Sequence, residues 1–162
     1  MQRVTGLIVG EGAFVSHPPE GISMSVEASI HAALEAHLRA FAEPRSIRVA
    51  RQGFAFDPPR DAAYLRVSFL PNRSADNPIR DEDQPARMGL FQVSVVSPPD
   101  RGLNDSLTLS GQIIEHFRRA RLPAKGWLVR VTEAPWASPP MQDADRLQIP
   151  VTIPWVAHET EV

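Results

Sequence analysis

The most constraining feature of this sequence is its closing run, residues 147–155, where apolar side chains alternate strictly with Gln, Pro and Thr. This period of two is typical of a β-strand that buries one face. Two of the alternating residues, Pro150 and Pro154, have no main-chain N–H. Because amide directions alternate along a strand, both missing donors point to the same side. We therefore predict an edge strand with that side unpaired or bulged, next to an apolar face on which another subunit can dock.

Two segments, about 26–42 and 105–120, carry apolar residues at helical spacing. Ser25 is placed to cap the first helix and Pro44 to stop it. Glu35 and Arg39 lie four residues apart and are predicted to form an exposed pair. The second helix is predicted to end in a basic group that complements the helix dipole, formed by Arg118, Arg119 and Arg121.

Four further segments alternate like short strands, at about 47–50, 64–69, 87–96 and 127–132. With the closing run, they predict an α+β fold: one antiparallel or mixed sheet of about five strands, with two helices packed on one face. The domain is expected to span residues 24–157. Residues 1–23 are expected to be a flexible N-terminal extension, either a native tail or residues that precede a natural start at Met24, and residues 158–162 a disordered C-terminal tail.

Composition narrows the class of protein. A chain of 162 residues suits a single domain. The net charge of −2 gives no overall attraction to nucleic acid or to an anionic membrane. No apolar run approaches the roughly 20 residues needed to cross a bilayer. The sequence has no cysteine, so it can form neither disulfides nor thiolate metal sites.

Common catalytic and metal-binding patterns are missing from the sequence. It contains no GxxxxGK[ST], GxGxxG, GxSxG or HExxH motif. His31 and His37 are six residues apart and therefore lie on different faces of a helix, and His116 is interpreted as a boundary residue of the second helix. We predict no catalytic, cofactor-binding or metal-ligating residues.

Two charge clusters have alternative interpretations. A basic patch is formed by Arg118, Arg119, Arg121 and Lys125. We interpret it mainly as solvent-exposed charge that complements the dipole at the C-terminal end of the helix, with phosphate contact as the alternative. The acidic run Asp81-Glu82-Asp83 lies in the polar stretch 72–86 and lacks the ligand spacing of a calcium loop. We expect this stretch to be a mobile loop, or one that pairs with basic groups on a neighbouring subunit.

From Met24 onward the chain resembles a family of small phage and prophage tail proteins that are similar to tail terminators. The resemblance covers roughly residues 24–157 and lies in the order and the local sequences of the structural segments. These are the helix segment Ser29-Ile30-His31-Ala32-Ala33-Leu34, the strand Tyr64-Leu65-Arg66-Val67-Ser68-Phe69-Leu70-Pro71, the strand Gly89-Leu90-Phe91-Gln92-Val93-Ser94-Val95-Val96, the Pro98/Gly102 turn, the helix ending near Phe117, and the run from Asp145 to Trp155.

This resemblance implies a virion structural protein that caps the growing tail tube, halts its polymerisation and presents a surface to the head connector. It also implies self-association into a ring, commonly a hexamer in the virion, although the isolated chain could be a monomer. The expected location is the virion tail, reached from the host cytoplasm during assembly. Subunit contacts are predicted at the acidic loop and the closing strand, namely at Asp81, Glu82, Asp83, Pro150, Thr152, Pro154 and Trp155.

Three other interpretations remain open at this point. The first is another head–tail joining component, such as a neck or completion protein. The second is a small cytosolic enzyme that uses His116 or His31 beside a serine and a carboxylate. The third is a nucleic-acid-binding module built on the basic patch.

Overall fold

A computed structural model describes residues 24–72 and 86–160 as two α-helices and eight β-strands. The predicted extension 1–23 and the acidic run 81–83 lie outside the described residues. The elements in chain order are α1 Val26–Ala42, the 3₁₀ turn Glu43–Arg45, β1 Arg48–Ala50, β2 Tyr64–Pro71, β3 Arg87–Ser97, α2 Asn104–Phe117, β4 Arg121–Ala124, β5 Trp127–Arg130, β6 Trp136–Ala137, β7 Met141–Gln142 and β8 Leu147–Glu159.

Both predicted helices are present. The hydroxyl of Ser25 accepts a hydrogen bond from the Ala28 amide at 3.2 Å, which caps α1 as predicted. The second helix ends at Phe117, three residues earlier than predicted, because Arg118 has an extended ψ of 124° and Arg119 a left-handed φ of 57°. The predicted helix-end residue Arg121 consequently belongs to β4.

The strands form a single mixed sheet in the order β1-β2-β3-β8-β5-β4, with β6 and β7 also paired to β8. Of the pairings within residues 24–72 and 86–160, β1–β2 alone is parallel; the others are antiparallel. The α+β class and the mixed sheet agree with the prediction, but the expected number of about five strands is wrong. Of the missed strands, β6 and β7 hold two residues each, too few to show a period, and β4 is a four-residue segment that contains Pro123.

The prediction that the closing run is an edge strand is wrong, since β8 lies inside the sheet. Its pairing with β3 is continuous from Leu147 to Ala157. Its other side is shared by β7 at 147–148, β6 at 151–152 and β5 at 156–159. The Pro150 carbonyl accepts from the Ser138 amide at 2.8 Å, so Pro150 directs its missing donor toward this divided side. Both prolines fall between short partner strands, so the interruptions accommodate the absent N–H groups.

β8 also extends further than predicted. His158 pairs with Leu128 and Glu159 with Trp127. The Thr160 amide then donates to the Gly126 carbonyl at 2.8 Å. The strand therefore includes the first two residues of the predicted C-terminal tail, because β5 supplies main-chain partners for them.

Both helices cover the same face of the sheet, as predicted. α1 packs on β4, β5 and β1, while α2 packs on β8, β3 and β6. Directly opposed residues of the central strands form apolar rows beneath the helices, such as Leu65–Val95–Ile149 and Val67–Val93–Val151. These rows share one core with the helix residues Ile30, Leu34, Leu38, Phe41, Ile113 and Phe117. Because strand side chains alternate between faces, the neighbouring rows point away from the helices.

Candidate functional site

The sheet face opposite the helices, here called the open face, carries an exposed apolar patch. Its central row is Leu70, Leu90 and Pro154, which lie directly opposite one another on β2, β3 and β8. Leu70 is 48% exposed and Leu90 36% exposed. Trp136, on β6 opposite Thr152 in the next row, is 46% exposed. Among the described residues, no strand pairs with β8 between β6 and β5, and the surface around Pro154 is left uncovered there.

A groove of about 430 Å³ runs along this patch. The patch residues line it together with the half-buried Met88 and Val156. Thr132 and Glu133, from the loop after β5, form its polar side. An apolar groove with a polar rim is typical of a surface that binds another protein.

Trp155 supports the groove from the helix side of the sheet. The indole is 2% exposed and stacks on Phe69, with ring centroids 5.6 Å apart and an interplanar angle of 6°. Gly89, directly opposite Trp155 on β3, makes this stacking possible. A Cβ built at Gly89 would lie 2.6 Å from the indole Cζ2 and 2.6 Å from the Leu70 carbonyl oxygen. The glycine is therefore required for the close approach of the ring and the strand.

The residues predicted for subunit contacts occupy different environments. Pro154 is half-buried and lines the groove, whereas Pro150 and Thr152 are buried. Trp155 lies in the core, so its ring is not presented to solvent. Asp81, Glu82 and Asp83 are outside the described residues. Leu70, Leu90 and Trp136 were not among the predicted residues. The signal for the two leucines was the adjacent apolar pairs Phe69-Leu70 and Leu90-Phe91, which place apolar side chains on both faces of the sheet.

The predicted basic patch is divided by the fold. Arg118 pairs with Glu115 at 3.2 Å on α2, and Lys125 lies in the turn between β4 and β5. Arg119, Arg121 and Arg130 instead line a second cleft of about 320 Å³. Arg121 and Arg130 are directly opposite on β4 and β5, in the same sheet row as Val156 and Met88 of the open face. We call these three residues the arginine cluster. Thr132 lines both the cluster's cleft and the groove, so the two features are continuous.

His37 and His116 join the two helices in a reciprocal contact. Each Nε2 hydrogen-bonds the main-chain carbonyl of the other histidine, at 2.9 Å and 2.7 Å. The rings stack with centroids 4.0 Å apart. Burial lowers the pKa of His37, the bond to the His116 carbonyl raises it, and the charge of His116 lowers it. Each main-chain carbonyl accepts from a ring N–H, so the pair joins α1 to α2, and burial favours the neutral form of His37.

His31 lies beside the buried carboxylate of Glu35 rather than beside a serine. Its Nε2 is 3.4 Å from Glu35 Oε1, while Arg51 donates to Glu35 Oε2 from Nε at 3.1 Å and Nη2 at 2.8 Å. This two-pronged bond raises the pKa of Arg51. Glu35 was predicted to be exposed and paired with Arg39, but it is 4% exposed. Within residues 24–72 and 86–160, no three His, Asp or Glu side chains come together as a metal site.

Fold and surface together define an α+β domain, with one sheet face covered by helices and the other carrying an apolar groove beside arginines. The family model described as phage tail terminator protein matches residues 29–155. The protein therefore belongs to the phage tail terminator family, as its strand and helix segments predicted.

A solved structure shows the same fold. It shares 24% sequence identity and a TM-score of 0.72 with this chain, covering 86% of this chain and 100% of its own. No curated protein sequence matches the chain significantly. In the part of the chain that the structure describes, no helix has the length and apolar character to span a membrane.

Proposed function

We propose that this protein is a structural component of a phage tail that caps the tail tube and joins it to the head connector. In this role it associates into a ring, a hexamer in the virion, after folding as a separate chain in the host cytoplasm. It acts by binding other virion proteins through complementary surfaces, and it makes and breaks no covalent bond. Membership of the terminator family supports this role.

The observation that carries the proposal is the exposed apolar groove on the open face. Three large apolar side chains, Leu70, Leu90 and Trp136, are between 36% and 48% exposed and border the same groove region. Burying them against a neighbouring protein would remove apolar area from water at about 25 cal/mol per Å². A tube-capping protein needs such a surface because its partners are other proteins rather than small molecules.

The predicted subunit contacts keep a place in this proposal. Pro154 supplies part of the groove, while Pro150, Thr152 and Trp155 hold the strand that carries it. The acidic run 81–83 is proposed to contact a neighbouring subunit.

A charge placed in the groove tests the proposed role. Leu70→Asp puts a carboxylate in the patch, and Leu107→Asp makes the same change on α2, where Leu107 is 43% exposed. Purified variants are mixed with tail tube protein, and capped ends are counted by electron microscopy. We expect Leu70→Asp to weaken tube binding roughly 30-fold, as for a contact worth about 2 kcal/mol, and Leu107→Asp to cap like the wild type.

Two results would contradict this proposal. Equal capping by the wild type and Leu70→Asp would remove the groove from the tube contact. Binding of the wild-type chain to the head connector without any binding to the tube would instead support a neck or completion protein.

A further inference from the structure

The reciprocal contact between His37 and His116 fixes the state of both rings. The Nε2 atom of His37 lies 2.9 Å from the main-chain carbonyl oxygen of His116, and the Nε2 atom of His116 lies 2.7 Å from that of His37. A carbonyl oxygen can only accept, so both Nε2 atoms carry hydrogen. In the neutral rings Nδ1 is therefore unprotonated, and it is the atom at which each ring takes up a proton.

The His37 ring caps the C-terminal end of α2. Carbonyl groups in the last turn of a helix have no partner within the helix. α2 ends at Phe117, whose own carbonyl accepts from the Ala120 amide at 3.1 Å. The His116 carbonyl, one residue earlier, accepts from the His37 ring. The contact thus fastens the end of α2 to α1.

Stacking limits how many protons the pair can hold. The ring centroids are 4.0 Å apart and the ring planes are inclined by 17°. One proton leaves both hydrogen bonds in place, because an imidazolium ring still donates from Nε2. A second proton places two cations face to face, and their repulsion is strong in a site only partly open to water. Groups that interact this strongly titrate as a coupled pair, in two separate steps.

The charged groups beside the pair do not offset a second cation. Glu115 lines the cleft next to His116, but it pairs with Arg118 at 3.2 Å. The turn after α1 brings Arg45 into the same cleft, where it adds positive charge, and its Glu43 is exposed. Neighbours of the rings on the helices themselves are uncharged: positions three and four residues from His37 within α1 are Ala33, Leu34, Ala40 and Phe41.

The sheet beneath the helices presents apolar side chains to them. The strands packed against α1 and α2 are β1, β3, β4, β5, β6 and β8, and their charged or titratable residues are Arg48, Arg87, Arg121, Arg130, His158 and Glu159. Arg87 pairs with Glu27 in the first turn of α1, and the other five are exposed. Burial and the charge of His116 both lower the pKa of His37, against the raising effect of its bond to the carbonyl. Acid therefore works against this contact.

We propose that the His37–His116 pair is a proton-operated joint, which holds the end of α2 against α1 with up to one proton and releases it when both rings are protonated. Release would widen the cleft of about 690 Å³ between the helices, which Phe41 lines from α1 and Gln112 from α2. Because Arg119 follows the helix end, the movement would also shift it within the arginine cluster. The inference concerns a conformational change of the single chain and does not depend on the capping role.

The number of titration steps tests the coupling between the rings. Ring signals of both histidines are followed by NMR in the full chain, from about pH 8 down to the onset of acid unfolding. We expect both rings to report two steps, with the second proton bound at least roughly tenfold more weakly than the first. In His116→Gln the new amide can still donate to the His37 carbonyl, and His37 should titrate in a single step. Independent titration of the two rings in the wild type would overturn the proposal, and that result needs no variant.

Release of the helix end is tested by amide hydrogen exchange, expressed as protection relative to the unfolded chain at each pH. The Arg118 amide donates to Ile114 at the end of α2, and the Leu107 amide donates to Leu103 at its beginning. Since release is linked to the uptake of one proton, protection of Arg118 should fall roughly tenfold per pH unit below the first step. Protection of Leu107 should stay constant.

The matched variants identify the trigger. The double variant His37→Gln with His116→Gln keeps two side-chain donors but binds no proton, so its Arg118 protection should not change with pH. His31→Gln, a change at the other histidine of α1, is the control and should behave like the wild type. Equal loss of Arg118 protection in the wild type and the double variant would overturn the proposal. Loss at Leu107 that matches the loss at Arg118 would also overturn it, because the chain would then unfold as a whole.

Discussion

Replacing Gly89 with alanine tests whether the support beneath the groove depends on the missing side chain. The new Cβ would lie 2.6 Å from both the Trp155 indole and the Leu70 carbonyl oxygen, where ordinary contacts begin at 3.4 Å. The carbonyl belongs to the main chain of β2, and the indole is stacked on Phe69. Neither can move without disturbing the sheet or the core. Overpacking of this kind costs about 1–3 kcal/mol.

The same substitution at Gly111 is the matched control. A Cβ there meets nothing within 4 Å, and the residue lies inside α2. Alanine is favoured over glycine in a helix by roughly 0.5–1 kcal/mol. For a chain of this length, 1 kcal/mol shifts the melting temperature by about 2–4 °C. We therefore expect Gly89→Ala to melt roughly 2–12 °C below the wild type and Gly111→Ala to melt slightly above it.

Calorimetry of both variants measures these shifts directly. A second comparison, Trp155→Phe with and without Gly89→Ala, isolates the indole contact. The alanine should cost less beside the smaller ring, and the remaining cost should come from the Leu70 carbonyl. A Gly89→Ala protein that melts at the same temperature as the wild type would refute the reasoning that the close approach excludes a side chain.

Three other predictions concern the helices and the buried carboxylate. Because the pKa of His37 is lowered in the folded state, its contribution to the free energy of unfolding should be fully present above the ordinary value of 6.5 and decline as the pH falls below it. Thermal melts between pH 5 and 8 (roughly the range over which histidine titrates) should therefore show a flatter pH profile for His37→Gln than for the wild type. His116 is not substituted in this variant. Arg51→Met should lower the melting temperature because it leaves the Glu35 carboxylate buried without its cation, and adding Glu35→Gln should recover part of the loss. If the effects of the two single substitutions simply add in the double variant, Glu35 and Arg51 do not stabilise the fold as a pair. Ser25→Ala should cost about 1 kcal/mol in urea unfolding, because it removes the N-cap of α1, whereas Ser25→Asp should retain stability.

The open face places the apolar patch and the arginine cluster side by side. The apolar patch around Leu90 provides area that can be buried against a partner, while the arginine cluster provides charge that can select the partner and its orientation. Both depend on β8, whose interrupted side leaves the patch open and whose residue Val156 lies in the same row as Arg130.

The sequence by itself determined the elements whose side chains repeat over many residues. The apolar stripe of α1, the alternation of β2, β3 and β8, and the family segments all predicted structure correctly, because burial of one face imposes a local period on a helix or strand. An antiparallel or mixed sheet with both helices on one face followed from the element order, and the structure shows the mixed form. No such period exists in β4, β6 and β7, which are strands because β5 and β8 pair with them.

Only the tertiary structure decided which strands are neighbours and which side chains are left uncovered. The prolines of β8 showed correctly that donors are missing on one side, but the same signal fits an edge strand and a central strand with short, interrupted partners. Glu35 looked like an exposed helix residue until β1 brought Arg51 beside it. The groove, likewise, exists because β5 and β6 stop short of each other on β8. Pairing between distant segments sets these features, and no local pattern encodes it.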